Sequence, residues 1–237
     1  MVNVTTSDLS TTSNAPTITV EIYSDVVCPW CYIGKRRFEA GLEIVKSEDL
    51  GVDFEISYHP YQLDPTAPPG ATEPVLQAYA KKFGGAEQAG EMIARVTQMA
   101  DAAGLDFNMD VALRANTLLA HRLLWLAGQV ETTVSQDAMK ERLLRAYFTD
   151  GLNIGDPEVL ADCAADVGFE RQSVINFFES DRGANDVAAE LAQAQDRGIT
   201  AVPTYVVNGA WAIPGAQEPE TFAQVLRKIA SEATADG

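Results

Sequence analysis

Cys28 and Cys31 stand three positions apart in the stretch Ser24-Asp25-Val26-Val27-Cys28-Pro29-Trp30-Cys31-Tyr32-Ile33-Gly34-Lys35. Two thiols at that spacing suit disulfide exchange, metal binding or haem attachment. Structural zinc needs four ligands, and His59, His121 and Cys163 show no ligand spacing, so no metal is expected. Residue 32 is Tyr32, which removes the haem attachment pattern. Exchange remains. Residues three apart on a helix bring their Cβ atoms to roughly 5–6 Å, close to what a disulfide requires.

The elements around the pair make its sulfurs unequal. Thr17 to Tyr23 alternates apolar and polar residues and is rich in β-branched side chains, the pattern of a strand. Pro29 suits the first helical position, because its missing N–H would lack a partner there anyway, and this puts Cys28 at the N-cap. Unpaired backbone N–H groups and the positive end of the helix dipole favour a thiolate at that point, which marks Cys28 as the nucleophile. Cys31, Gly34, Phe38, Leu42 and Val45 recur at spacings of three and four and predict one apolar stripe, with Cys31 as the shielded, resolving thiol.

Beyond the first helix, Val52 to Tyr58 alternates again and predicts a second strand, parallel to the first. Four prolines and a glycine between Pro60 and Gly70 mark a boundary. From Thr72 to Arg197 the patterns are helical, with no strand: Leu113, Thr117, Ala120, Leu124 and Ala127 are one stripe, and Met139, Leu143 and Ala146 another. Pro203 to Val207, the dipeptide Asn208-Gly209, and Ala210 to Ile213 predict a hairpin with a type I′ turn. A helix from Glu218 to Ser231 closes the chain over the sheet. The expected division is a tail over 1–16, a sheet domain from 17–65 and 198–237, and an inserted all-helical domain over 66–197.

A chain of 237 residues, 46% hydrophobic, can bury a large core. Its net charge of −17 repels phosphate backbones and anionic lipid, which excludes nucleic acid and membrane surfaces as expected partners. No stretch of ~20 apolar residues could span a bilayer. The first sixteen residues have neither a basic nor an apolar signal-peptide region, so a cytoplasmic location is expected, where a thiol pair rests reduced.

Cys-Pro-Trp-Cys after a strand, a helical insertion, and Gly198-Ile199-Thr200-Ala201-Val202-Pro203-Thr204 before the last hairpin resemble the DsbA-like branch of the thioredoxin superfamily. Ser24-Asp25, Tyr32-Ile33-Gly34-Lys35, Asn116 to Arg122 and Gly215-Ala216-Gln217 resemble its FrnE-type members. The resemblance runs from Thr17 to Ile229 and implies an α/β thioredoxin fold, βαβ then ββα, with thiol-disulfide oxidoreductase activity. It also implies a cis bond at Val202-Pro203 beside the dithiol, where the Val202 backbone could pair with an extended substrate.

Glu21 and His121 follow from the same resemblance, and the other candidates from their own chemistry and position. Glu21 is similar to a buried acid that moves protons in thioredoxin relatives, although with one residue more before the first cysteine; its alternative is a solvent-facing strand position. His121 either faces the cleft or packs structurally. Lys35, in Lys35-Arg36-Arg37, either supports the thiolate, attracts a glutathione carboxylate or lies on an exposed face. Cys163 reads as a small buried hydrophobe. Pro29 and Trp30 tune the pair: Trp30 brings an N–H but no charge, which predicts a Cys28 pKa between ~3.5 and ~8.5 and a potential between about −120 and −270 mV. No cofactor is expected, with glutathione as the one candidate co-substrate; the partners are protein thiols, disulfides or glutathione. The leading function is thiol-disulfide exchange. The alternatives are a glutathione-dependent isomerase or transferase of the kappa or hydroxychromene-carboxylate type, relatives that typically carry serine in place of Cys28, and a non-catalytic chaperone-like binder.

Overall fold

The computed structural model describes residues 15–235; apart from Ala15 and Pro16, the expected tail lies outside them. β1 (Thr17–Ser24) pairs in parallel with β2 (Asp53–Pro60), from Thr17 opposite Asp53 to Ser24 opposite Pro60. The helix α1 (Pro29–Lys46) makes the crossover. Two-residue β3 (Glu73–Pro74) and helices α2 (Val75–Phe83) and α3 (Ala86–Ala102) follow, then β4 (Leu113–Arg114), α4 (Leu118–Ala127), α5 (Gln136–Phe148), α6 (Pro157–Asp166), α7 (Arg171–Glu179) and α8 (Ala184–Asp196). The chain then returns as β5 (Thr204–Val207), β6 (Trp211–Pro214) and α9 (Pro219–Ala235). β5 lies antiparallel to β1, and the sheet order is β2-β1-β5-β6. The hairpin turn has Asn208 at φ 48° and Gly209 at φ 65°, the two positive values a type I′ turn needs and the Asn-Gly dipeptide permits.

Burial follows the period of each element. Ile18, Val20 and Ile22 on one face of β1 pack with Phe38, Leu42 and Val45 of α1 and Phe222, Leu226 and Ile229 of α9. Each such side chain contributes about 1.5–3 kcal/mol of transfer free energy. The Phe38 ring stacks on Tyr205 at 5.1 Å and meets Phe222 edge-on at 5.4 Å. A second apolar cluster fills the helical segment around Leu123, Met139, Leu143, Leu144, Phe148 and Leu160, and α1 reaches it with Tyr32 and Ile33. One helix therefore serves both clusters, which fixes its N-terminus between them.

The β3–β4 pair corrects the expectation of an all-helical insertion. Leu113, placed by periodicity on a helical stripe, is extended opposite Pro74. Arg114 holds Asp64 at 2.6 Å and Glu73 at 3.2 Å, and Val75 N–H donates to Ala112 C=O at 3.0 Å. These polar ties outweigh the weak helical preference of a short segment. α4 starts only after the Asn116 carboxamide accepts from the Leu118 N–H at 2.9 Å, a local bond that competes with helix and sets its boundary.

Candidate active site

Cys28 caps α1 with extended backbone at φ −89° and ψ 114°, and Pro29 opens the helix. The Cys31 N–H donates to the Cys28 carbonyl at 3.0 Å, which folds the two cysteines into one tight turn. Both thiols are free. The stripe from Cys31 to Val45 is buried, but so is Cys28: each cysteine is only 3% exposed. The expected contrast between an open and a shielded thiol is therefore one of surroundings. Cys28 lines a cleft of about 740 Å³, and Cys31 does not. Trp30, 42% exposed, forms the rim.

The turn before β5 brings the second half of the site. The Val202-Pro203 peptide is cis, and the Cys28 S–H donates to the Val202 carbonyl at 3.7 Å. Gly34 makes this approach possible. A Cβ there would lie 2.7 Å from the Tyr205 hydroxyl, closer than side-chain carbons tolerate, and 3.0 Å from Pro203 Cγ, close enough that the ring would have to shift. Thr200, Ala201 and Val202 line the same cleft as Tyr79, Phe83 and Tyr147.

Beneath the dithiol lies a buried polar cluster. Asp25 is fully buried; its Oδ1 accepts from the Val26 N–H at 2.8 Å and its Oδ2 from the Leu63 N–H at 2.8 Å. His121 Nε2 stands 3.1 Å from Asp25 Oδ1 and 3.0 Å from the Tyr61 carbonyl. Two acceptors at one ring nitrogen assign the hydrogen to Nε2. Lys140 of α5 is buried too, and its ammonium has no hydrogen-bond partner among the described residues.

The two thiols ionise as a pair. Interaction with Cys31, then burial, pushes Cys28 well up. Burial also raises Cys31, but the Cys28 thiol, the Lys140 charge and the Ser24 hydroxyl more than offset it and bring Cys31 below the ordinary range. One thiolate is favoured and a second beside it in a dry site is opposed. The low ionisation belongs to the pair, with the Lys140 charge and the Ser24 hydroxyl among the groups that favour it. Of the two sulfurs, the one with access to the cleft is that of Cys28.

Of the other residues named from sequence, His121 joins the site through Asp25. Glu21 does not; it sits on the face of β1 covered by α8, 2.8 Å from Arg197 and 3.7 Å from His59. The alternation of β1 turns it away from the side that holds Ile22 and α1. Lys35 is not exposed and is not among the residues that line the cleft: at 3% exposure it pairs with Glu39, with Asp137 at 2.9 Å and with Glu141 at 3.4 Å. From the sequence, Asp25 enters only as part of the family-like Ser24-Asp25, with no role in the site, and Lys140 does not enter at all. Lys140 carries a readable signal, since it stands three, four and seven positions before the buried Leu143, Leu144 and Tyr147.

A family model described as a DSBA-like thioredoxin domain matches residues 19–227. The chain belongs to the DsbA-like thioredoxin family. Within that family fold, a probable DsbA oxidoreductase from Streptomyces coelicolor is 30% identical, with a TM-score of 0.80 over 93% of this chain and 91% of that one. An uncharacterized protein of Bacillus subtilis, YwbO, is 28% identical over 89% of this chain and 96% of its own length. The cytosolic disulfide reductase DsbM of Pseudomonas aeruginosa, solved with GSH, shares the DsbA-like fold at 17% identity, TM-score 0.60, over 89% of this chain and 98% of that one. Among the described residues no helix is long and apolar enough to cross a membrane.

Proposed function

We propose that the chain is a thiol-disulfide oxidoreductase that works through a mixed disulfide on Cys28. The observation that carries this is the free dithiol at the start of α1, with Cys28 open to the cleft and 3.7 Å from the Val202 carbonyl. The Cys28 proton passes to the Cys31 sulfur, and the Cys28 thiolate attacks a substrate disulfide. A Cys28–substrate disulfide forms, and the first substrate sulfur leaves as a thiol, taking the proton from Cys31. The Cys31 thiolate then attacks the Cys28 sulfur, the Cys28–Cys31 disulfide forms and the second substrate sulfur leaves as a thiolate that takes a proton from solvent. Two thiols are oxidised and one substrate disulfide is reduced; the reverse sequence oxidises a substrate dithiol.

Pro29 and Trp30 shape the turn that holds the sulfurs, and the Val202 backbone beside Pro203 offers an extended substrate a pairing edge. The apolar rim of Trp30, Phe83 and Met92 suits a disulfide carried on an unfolded segment, while glutathione is small enough for the same cleft. A glutathione-dependent isomerase would leave Cys31 without a role. Insulin reduction and glutathione disulfide reduction, run on the same preparation, test the proposal and separate the two substrate classes. Cys28→Ser is expected to abolish whichever activity is present and Cys31→Ser to stop it after one mixed disulfide. Full activity of Cys28→Ser would overturn the reading.

A further inference from the structure

We propose that Tyr61 is a positioning residue for substrate pairing: its hydroxyl holds the turn from Thr200 to Val202 in place beside Cys28, and the buried Asp25–His121 pair holds Tyr61. This rests on the thiol-disulfide reading above and adds to it the device that aims the cleft wall at a peptide backbone. Asp25 and His121 have no part in the exchange step, yet both are buried. Buried polar groups persist where their hydrogen bonds are made, and here those bonds converge on one segment.

That segment is the three residues after β2. The Leu63 N–H donates to Asp25 Oδ2 at 2.8 Å, and His121 Nε2–H donates to the Tyr61 carbonyl at 3.0 Å. Between them, the Gln62 carboxamide donates to the hydroxyl of Thr117, at the start of α4, at 3.3 Å. With its backbone fastened in this way, Tyr61 reaches across the fold, and its hydroxyl donates to the Thr200 carbonyl at 3.1 Å. Thr200, Ala201, Val202 and Leu63 line the cleft that holds Cys28.

The turn that Tyr61 grips has its acceptors filled and its donors free. The Ala201 carbonyl accepts from the Thr204 hydroxyl at 2.8 Å, the Val202 carbonyl from the Cys28 S–H at 3.7 Å and the Pro203 carbonyl from the Gly215 N–H at 2.7 Å. The N–H groups of Thr200, Ala201 and Val202 make no hydrogen bond among the described residues, and Thr200 and Ala201 are exposed. An extended substrate can pair with this edge through its own carbonyls. Because the turn precedes β5, no strand ladder fixes those donors. The Cys28 bond disappears once the thiol gives up its proton. The Tyr61 bond does not, so it keeps the edge in register with the sulfur while the mixed disulfide forms.

Reduction of two disulfides by the unaltered chain and by Tyr61→Phe tests this. One is the disulfide dimer of a short blocked Val-Cys-Val peptide; the other, dithiodipyridine, has no peptide backbone to pair. Tyr61→Phe should lower kcat/KM for the peptide about three- to tenfold relative to dithiodipyridine, the worth of one hydrogen bond, and chiefly through KM. The same ratio in both proteins would overturn the proposal, because a general loss of stability lowers both rates alike. Calorimetry with a blocked Val-Ser-Val peptide reads the edge without turnover, and Tyr61→Phe should bind it more weakly by a similar factor. Equal affinity would overturn the proposal even where both disulfides are reduced, whereas failure to reduce either disulfide overturns the exchange reading itself. His121→Gln keeps a donor for the Tyr61 carbonyl and should keep the ratio near that of the unaltered chain. His121→Leu should lower it, and adding Tyr61→Phe should lower it no further, since the two act through one tie. Additive losses would overturn the part given to His121. Tyr61→Phe leaves the buried pair intact and decides the proposal even where His121→Leu fails to fold.

Discussion

Burial raises the Cys163 thiol from an ordinary 9.0 to about 11, with Asp166, Asp150 and Asp162 adding to the rise and Arg142 opposing it. The folded state therefore prefers this thiol protonated. The stability it contributes is full below the ordinary value and is lost as pH rises toward about 11. At pH 8, Cys163 of the native protein should resist alkylation and react like a free thiol only after unfolding, and Cys163→Ser should keep exchange activity. Rapid native labelling at Cys163 would contradict its burial. The dithiol titrates differently: one thiolate should form below the ordinary range and the other only well above it. A single two-proton step near 9 would contradict the coupling. At this scale the cysteine pair was legible because spacing alone brings its sulfurs together. Lys140 was less so: its spacing to Leu143, Leu144 and Tyr147 places it on the apolar stripe of α5, but by residue type a lysine reads as solvated, and Tyr58 of β2, a distant strand, lies beside its ammonium.

α1 shows what an element reveals on its own. Its start at Cys28-Pro29 and its stripe from Cys31 to Val45 follow from local chemistry and period, and both are present. Gly34 lies on that stripe, yet the reason for a glycine there comes from outside the helix: Tyr205 and Pro203 press against it. Gly34→Ala should lower stability by about 1–3 kcal/mol through overpacking and weaken exchange by pushing the Val202 turn from Cys28. Tyr205→Phe on that background removes the hydroxyl 2.7 Å from the new methyl and should recover part of both losses, as read by thermal melting and insulin turnover. A silent Gly34→Ala would mean that the approach of β5 to α1 is loose. The two short strands escaped sequence reading because two residues carry no period, and what holds them extended, the Arg114 ion pairs and the Val75 to Ala112 bond, crosses between distant parts of the chain.

Across the molecule, α1 packs into both apolar clusters, and Lys35 and Arg36 tie it to Asp137 and Glu141 on α5. Lys35→Met leaves three carboxylates without their shared cation, and because those acids are partly solvated the loss should be about 1–3 kcal/mol, diminished at high salt. An unchanged melting temperature would show the cluster to be neutral. The order of strands and helices was legible from alternating periods and from Asn208-Gly209; the junction that buries Lys35 and Lys140 was not, since it forms between segments about a hundred residues apart. The exchange mechanism turns on which sulfur meets the substrate. Intact-mass analysis of Cys31→Ser and Cys28→Ser after brief exposure to glutathione disulfide decides it: one glutathione adduct should accumulate on Cys28 in the first and form far more slowly in the second. Faster adduct formation on Cys31 in Cys28→Ser would contradict the assignment.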